Sequence, residues 1–128
     1  MVNIEIDGIE EVKKYINKKS KQATKGMSLG LGQAAIYVQG EVKKSIAGAG
    51  PETKSVDTGR FLNSVGVDKF KDGAKVYSDL SYARILEDGG SKKSNRIARN
   101  HFKNSAARSK SKVKDILQRN INSAIKNI

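Results

Sequence analysis

Val56-Asp57-Thr58-Gly59-Arg60-Phe61-Leu62-Asn63-Ser64-Val65 opens the stretch that decides how this chain folds, and the stretch runs on to Gly90. Asp and Thr side chains compete for backbone donors and Gly permits positive φ, so Asp57 to Gly59 is a poor helix or strand interior and predicts a turn. Apolar residues return at Phe61, Leu62, Val65 and Val67, break at Lys71-Asp72-Gly73, and resume in Lys75-Val76-Tyr77-Ser78. Two short β-prone runs around an Asp-Gly turn predict a hairpin. The stretch closes with Leu80-Ser81-Tyr82-Ala83-Arg84-Ile85-Leu86-Glu87-Asp88-Gly89-Gly90, which reads as aromatic and aliphatic residues running into a charged, glycine-terminated loop.

Working back toward the start, Val2, Ile4 and Ile6 alternate with Asn3, Glu5 and Asp7, the period of a strand with one buried face. Asp7 and Glu10 form a D-x-x-E capping arrangement, and Ile9, Val12 and Ile16 follow at helical spacing, predicting a helix over 8–19. From Ala23 to Ile46, Met27, Leu31, Ala34, Ala35, Val38, Val42 and Ile46 recur every three or four residues, a second and longer helix. Gly26, Gly30, Gly32 and Gly40 each cost it about 1 kcal/mol relative to Ala, so it needs tertiary packing. Such residues either let another helix approach closely or merely loosen this one. Small and polar residues around Pro51 then predict a flexible loop over about 47–57.

Working forward, Ser91 to Arg96 holds no apolar residue and reads as a solvated, potentially phosphate-facing loop. Phe102, Ala106, Val113, Ile116, Leu117, Ile121, Ala124 and Ile125 then trace one helical stripe, interrupted at Ser109 and Asn120, with a break conceivable at Ser109-Lys110-Ser111. Arg99, Lys103, Arg108, Lys110, Lys112, Lys114, Arg119 and Lys126 fill the remaining circumference. The predicted class is α+β: one domain over 1–128, with a small, mainly antiparallel sheet packed on one side against two or three helices, among them the long N-terminal-half helix and the basic C-terminal one.

The chain has 128 residues, 37% hydrophobic, 5% aromatic and 30% charged, so its own core is small and burial against neighbours in an assembly is the expected supplement. It has no cysteine, which excludes disulfides, thiolate metal sites and cysteine nucleophiles. With no visible secretory signal and no apolar run near the roughly 20 residues that span a bilayer, a soluble protein without a membrane partner is expected. Net charge is +12. Residues 91–128 carry eleven Lys/Arg against Asp115 alone. A polycation of this kind attracts phosphate, acidic protein surfaces or anionic lipid.

Catalysis has few candidates. His101 is the single histidine, in a cationic neighbourhood that favours its neutral form, and both it and the adjacent acids Glu87 and Asp88 read as surface residues. No G-x-S-x-G elbow, no spaced metal-ligand cluster and no P-loop occurs, so no cofactor is expected. A basic ribonuclease built on His101 is the one enzymatic class left. A basic nucleic-acid-binding protein using the C-terminal helix is the stronger alternative.

The run VDTGRFLNSV, the hairpin, SDLSYARILEDGG, a basic stretch with Arg99-Asn100-His101-Phe102 and a last helix together resemble the HK97 gp10-like family of tailed-phage proteins. The matching positions are Thr58, Gly59, Arg60, Leu62, Ser64 and Val65, then Tyr82, Ala83, Glu87 and Gly89, then Arg99 and Phe102. One departure is the absence of the family's Pro-Phe-Leu entry to the last helix. The resemblance implies a non-enzymatic structural virion protein, a tail-completion or head-tail connector subunit at the neck. It implies a homo-oligomeric ring around the DNA channel, read as a hexamer, between tail terminator or tail tube proteins and head-tail adaptor or stopper proteins, assembled in the host cytoplasm. On that basis Thr58, Gly59, Arg60, Ser64, Tyr82, Glu87 and Gly89 form an assembly or turn motif. Arg60 would be available to Glu87, and Tyr82 would pack its ring inward. Lys92, Lys93, Arg96, Arg99, Lys103, Arg108, Lys110 and Lys112 are the candidates for facing double-stranded DNA non-specifically, or an acidic partner.

Overall fold

The computed structural model describes residues 2–7, 21–55, 59–70, 73–89 and 97–126. The expected helix over 8–19, the turn residues 56–58 and the loop 91–96 lie outside them.

Strand β1 is Val2–Asp7, β2 is Gly66–Phe70 and β3 is Gly73–Ser78. They form an antiparallel sheet in the order β1-β3-β2, with Ile4 and Val67 both opposite Val76. Alternation sends Val2, Ile4, Ile6, Val67, Ala74 and Val76 to the face that joins the core. Glu5 and Asp68, both in register with Lys75, lie on the other face, where the Tyr77 ring covers the space above Gly66. The hairpin is therefore as expected, but its first arm is shorter.

Phe61 and Leu62 belong instead to a short helix, α2, Arg60–Ser64. Gly59 enters it with φ 81°, its carbonyl accepts from Asn63 N at 2.9 Å, and Ser64 Oγ donates to Phe61 O at 2.6 Å. Phe61 and Val65, four apart, are both buried, a helical spacing that the β-prone composition had masked.

The aliphatic residues expected to run into a charged, glycine-terminated loop form, with Glu87 and Asp88, a helix, α3, Ala83–Asp88, closed by Gly89 at φ 81° donating to Ile85 O. Here too the buried residues, Ala83 and Glu87, are four apart.

Two 26-residue helices cover the inner face of the sheet: α1, Lys21–Ile46, and α4, His101–Lys126. The second is unbroken through Ser109-Lys110-Ser111. They run antiparallel, since Gly26 lies against Asn120 and Ile121, Gly30 against Leu117, and Ser45 meets His101. A Cβ on Gly26 would sit 2.6 Å from Asn120 O, and one on Gly30 3.1 Å from Leu117 Cα. Close approach is thus what these two glycines provide, whereas Gly40 has nothing within 4 Å. Leu31, Ala34, Ala35, Val38, Val42 and Ile46 from α1 meet Phe102, Val113, Ile116 and Leu117 from α4 and the inner strand residues in one cluster.

Candidate functional site

The motif residues converge at the N-terminal end of α4. Phe61 touches three rings, with centroids 6.4 Å away for Tyr82, 5.9 Å for His101 and 6.4 Å for Phe102. Tyr82 is partly buried, with its ring packed against the core. Ser64 Oγ, besides its bond within α2, lies 2.6 Å from Ser78 Oγ and ties that helix to β3.

Glu87 is buried, and the reading of it as a surface acid is corrected. Its Oε1 accepts from Phe102 N at 2.9 Å and its Oε2 from Lys103 N at 2.8 Å. One carboxylate thereby caps two of the unpaired amides of α4, where the helix dipole also favours negative charge. Arg60, the partner expected for Glu87, is exposed and the acid is turned inward to these amides. The chain returns to α3 through Arg99 N to Leu86 O at 3.0 Å and Asn100 N to Glu87 O at 2.9 Å, and Asn100 takes φ 53°. Gly59 and Gly89 supply the left-handed corners; Thr58 lies outside the described residues.

Beside this cap runs a polar chain through the interior. Arg99 Nη1 donates to Ser55 Oγ at 2.8 Å, Ser55 Oγ lies 2.7 Å from His101 Nε2, and His101 Nδ1 lies 2.8 Å from Ser45 Oγ. Ser45 donates to Glu52 Oε1 at 2.5 Å, which uses its only hydrogen. In the neutral ring Nδ1 then donates to Ser45, and Nε2 competes with Thr53 O, 3.1 Å from Ser55 Oγ, for the one hydrogen of Ser55. Glu52, its side chain 4% exposed, is held by both guanidinium nitrogens of Arg108 at 2.7 and 2.8 Å and by Asn104 Nδ2 at 3.2 Å. Hydrogen bonds from Arg108 hold the Glu52 carboxyl at about 2 against the upward push of burial, with Ser45 and Asn104 adding to the lowering.

His101 is fully buried, which corrects its reading as a surface residue. Burial lowers its pKa, Glu52 pulls the other way, and Arg99 adds to the lowering, so the direction expected from the sequence holds with desolvation as its main cause. An imidazole enclosed between two serines is a bridge between the 47–55 segment and α4. Ser55 N to Ile46 O at 2.7 Å and Ala49 N to Lys44 O at 3.0 Å pin the same segment to the end of α1. The network was not legible in the sequence, because it joins two groups, one within residues 45–55 and one within 99–108, that are more than forty residues apart and meet only in the fold.

Of the basic candidates, Arg99 and Arg108 have their guanidinium groups engaged inside the chain, while Lys103, Lys110 and Lys112 are exposed on α4. Lys92, Lys93 and Arg96 lie outside the described residues. Among the described residues no group of three or more His, Cys, Asp or Glu is placed to hold a metal ion, and no helix is long and apolar enough to cross a membrane.

Neither the curated proteins nor the solved structures gave a match to the chain. The family model described as "Bacteriophage HK97-gp10, putative tail-component" matches residues 10–89, well over half of it. That span ends at the left-handed Gly89 and takes in Gly59, Ser64, Tyr82 and Glu87, leaving Arg99 and Phe102 beyond it. Matched over that share of its length, the chain belongs to the HK97-gp10-like family of bacteriophage tail components.

Proposed function

We propose that the chain is a non-enzymatic structural subunit at the phage neck, a tail-completion or head-tail joining protein that assembles as a ring, read as a hexamer. Its neighbours would be tail terminator or tube proteins on one side and head-tail adaptor or stopper proteins on the other, within a virion assembled in the host cytoplasm. The observation that carries this reading is the use of the motif. Gly59, Ser64, Tyr82, Glu87 and Gly89 are all taken up by corners, caps and ring packing, so the motif maintains a shape and presents no reacting group. Burial of the sole histidine supports the same conclusion.

Association is supported by Leu29 and Ile36, seven apart on α1 and 62% and 64% exposed, with Phe70 and Ile97 also exposed. Light scattering of the purified protein, alone and with neck and tail-tube proteins, should give a mass of several subunits, and negative-stain images should show rings. A protein that stays monomeric with every neck and tail component would overturn the reading. So would virions that join head to tail normally without it.

A further inference from the structure

We infer that the outward face of α4 is an interface for the phosphate backbones of double-stranded DNA, contacted without regard to sequence. This deepens the proposed role and rests on it for the source of the duplex. Lys103, Lys110 and Lys114 fall on one line of the helix at i, i+7 and i+11, and Lys112, Arg119 and Lys126 fall on a second at strict seven-residue spacing; all six are exposed. Between the lines lies a ridge of small or uncharged side chains, Ala107, Ser111, Gln118 and Asn122, with the short acid Asp115 in its middle, all exposed. Asp115 is the only acid on the helix.

Three features favour a duplex over the other anionic surfaces. The ridge carries no large apolar or aromatic side chain, so it lacks the anchors that protein interfaces and membrane-surface helices need. The apolar stripe of α4 is already buried against α1 and the sheet. What remains is charge in two parallel rows about a low ridge, along a rod of about 39 Å at 1.5 Å per residue. A groove of double-stranded DNA, bordered on both sides by phosphates, matches that arrangement, and contact through phosphates alone is blind to sequence. Arg99 and Arg108, although basic and nearby, are excluded because Ser55 and Glu52 hold them.

The test is fluorescence anisotropy with two labelled duplexes of unrelated sequence over a range of salt, with light scattering on the same samples to read the oligomeric state separately. Binding in the range of about 1–100 µM is expected, equal for both duplexes, with a log K against log salt slope set by the phosphates engaged. Lys103→Gln/Lys110→Gln should lower that slope by about 1.8, and Lys112→Gln/Arg119→Gln/Lys126→Gln by about 2.7, at about 0.9 per lost contact. The control Lys25→Gln/Lys43→Gln on α1 should leave it unchanged. The inference is overturned by no duplex binding at about 50 mM salt, by a control as damaging as the α4 variants, by a tenfold preference for one duplex, or by polyglutamate competing as well as DNA at equal charge. Failure of the ring reading would show instead in the scattering mass, whatever the anisotropy gives.

Discussion

Glu87 concentrates the residue-scale chemistry of the fold, because a single carboxylate caps a 26-residue helix and fixes the α3 turn beneath it. Glu87→Ala removes both acceptors and leaves the buried Phe102 amide unpaired, so we expect a loss of about 2–3 kcal/mol in urea unfolding. Glu87→Gln keeps one acceptor and should lose about half as much. His101 and Glu52 make the protein sensitive to acid in two separate windows. The pKa of His101 is lowered from 6.5, so its stabilising neutral form is complete above that value and the contribution is lost as pH falls below it. The pKa of Glu52 is lowered from 4.5 to about 2, so its contribution is present above 4.5 and disappears as pH falls through about 2. Melting temperatures should therefore drop between pH 7 and 5, then again below 4.5. His101→Gln should flatten the first drop and Arg108→Gln the second. Ser109, the serine that interrupts the α4 stripe, is buried with no hydrogen-bond partner for its hydroxyl. Ser109→Ala should accordingly stabilise the protein by about 1 kcal/mol.

At the scale of elements, the glycines of α1 divide by what faces them. Gly26→Ala pushes a methyl group to within 2.6 Å of the Asn120 carbonyl and 2.9 Å of Ile121 Cα, both backbone atoms. The helix pair must separate, and a net loss of about 1–3 kcal/mol is expected in spite of the better helix propensity of alanine. Gly40→Ala meets nothing and should gain about 0.5–1 kcal/mol. Chemical denaturation of the two variants side by side checks the contrast. If both gain, the helices are not in the contact described.

For the whole molecule, the core is a shared one. Helices α1 and α4 come from opposite halves of the sequence, yet each completes the burial of the other and of the sheet. The buried stripe of each helix is completed only by the other helix and the sheet, so unfolding should be one cooperative event. Helix content followed by far-UV circular dichroism and tyrosine packing followed in the near-UV should give the same denaturant midpoint. Separate midpoints would mean that the sheet persists without the helix pair.

The periodicities of residues 2–6, 23–46 and 102–125 were sufficient by themselves to determine β1, α1 and α4, because apolar spacing reports directly which face of an element is buried. The order of the turn and glycine motifs determined the family. Tertiary structure decided that Phe61-Leu62 and Ala83–Asp88 are short helices, since five or six residues hold too few turns for a period to show and their state follows from what they pack against. It also decided that an acid in a charged dipeptide is a buried cap and that a lone histidine bridges two serines. Those roles depend on partners far away in sequence, and no local pattern encodes a contact made only when α1 and α4 come together.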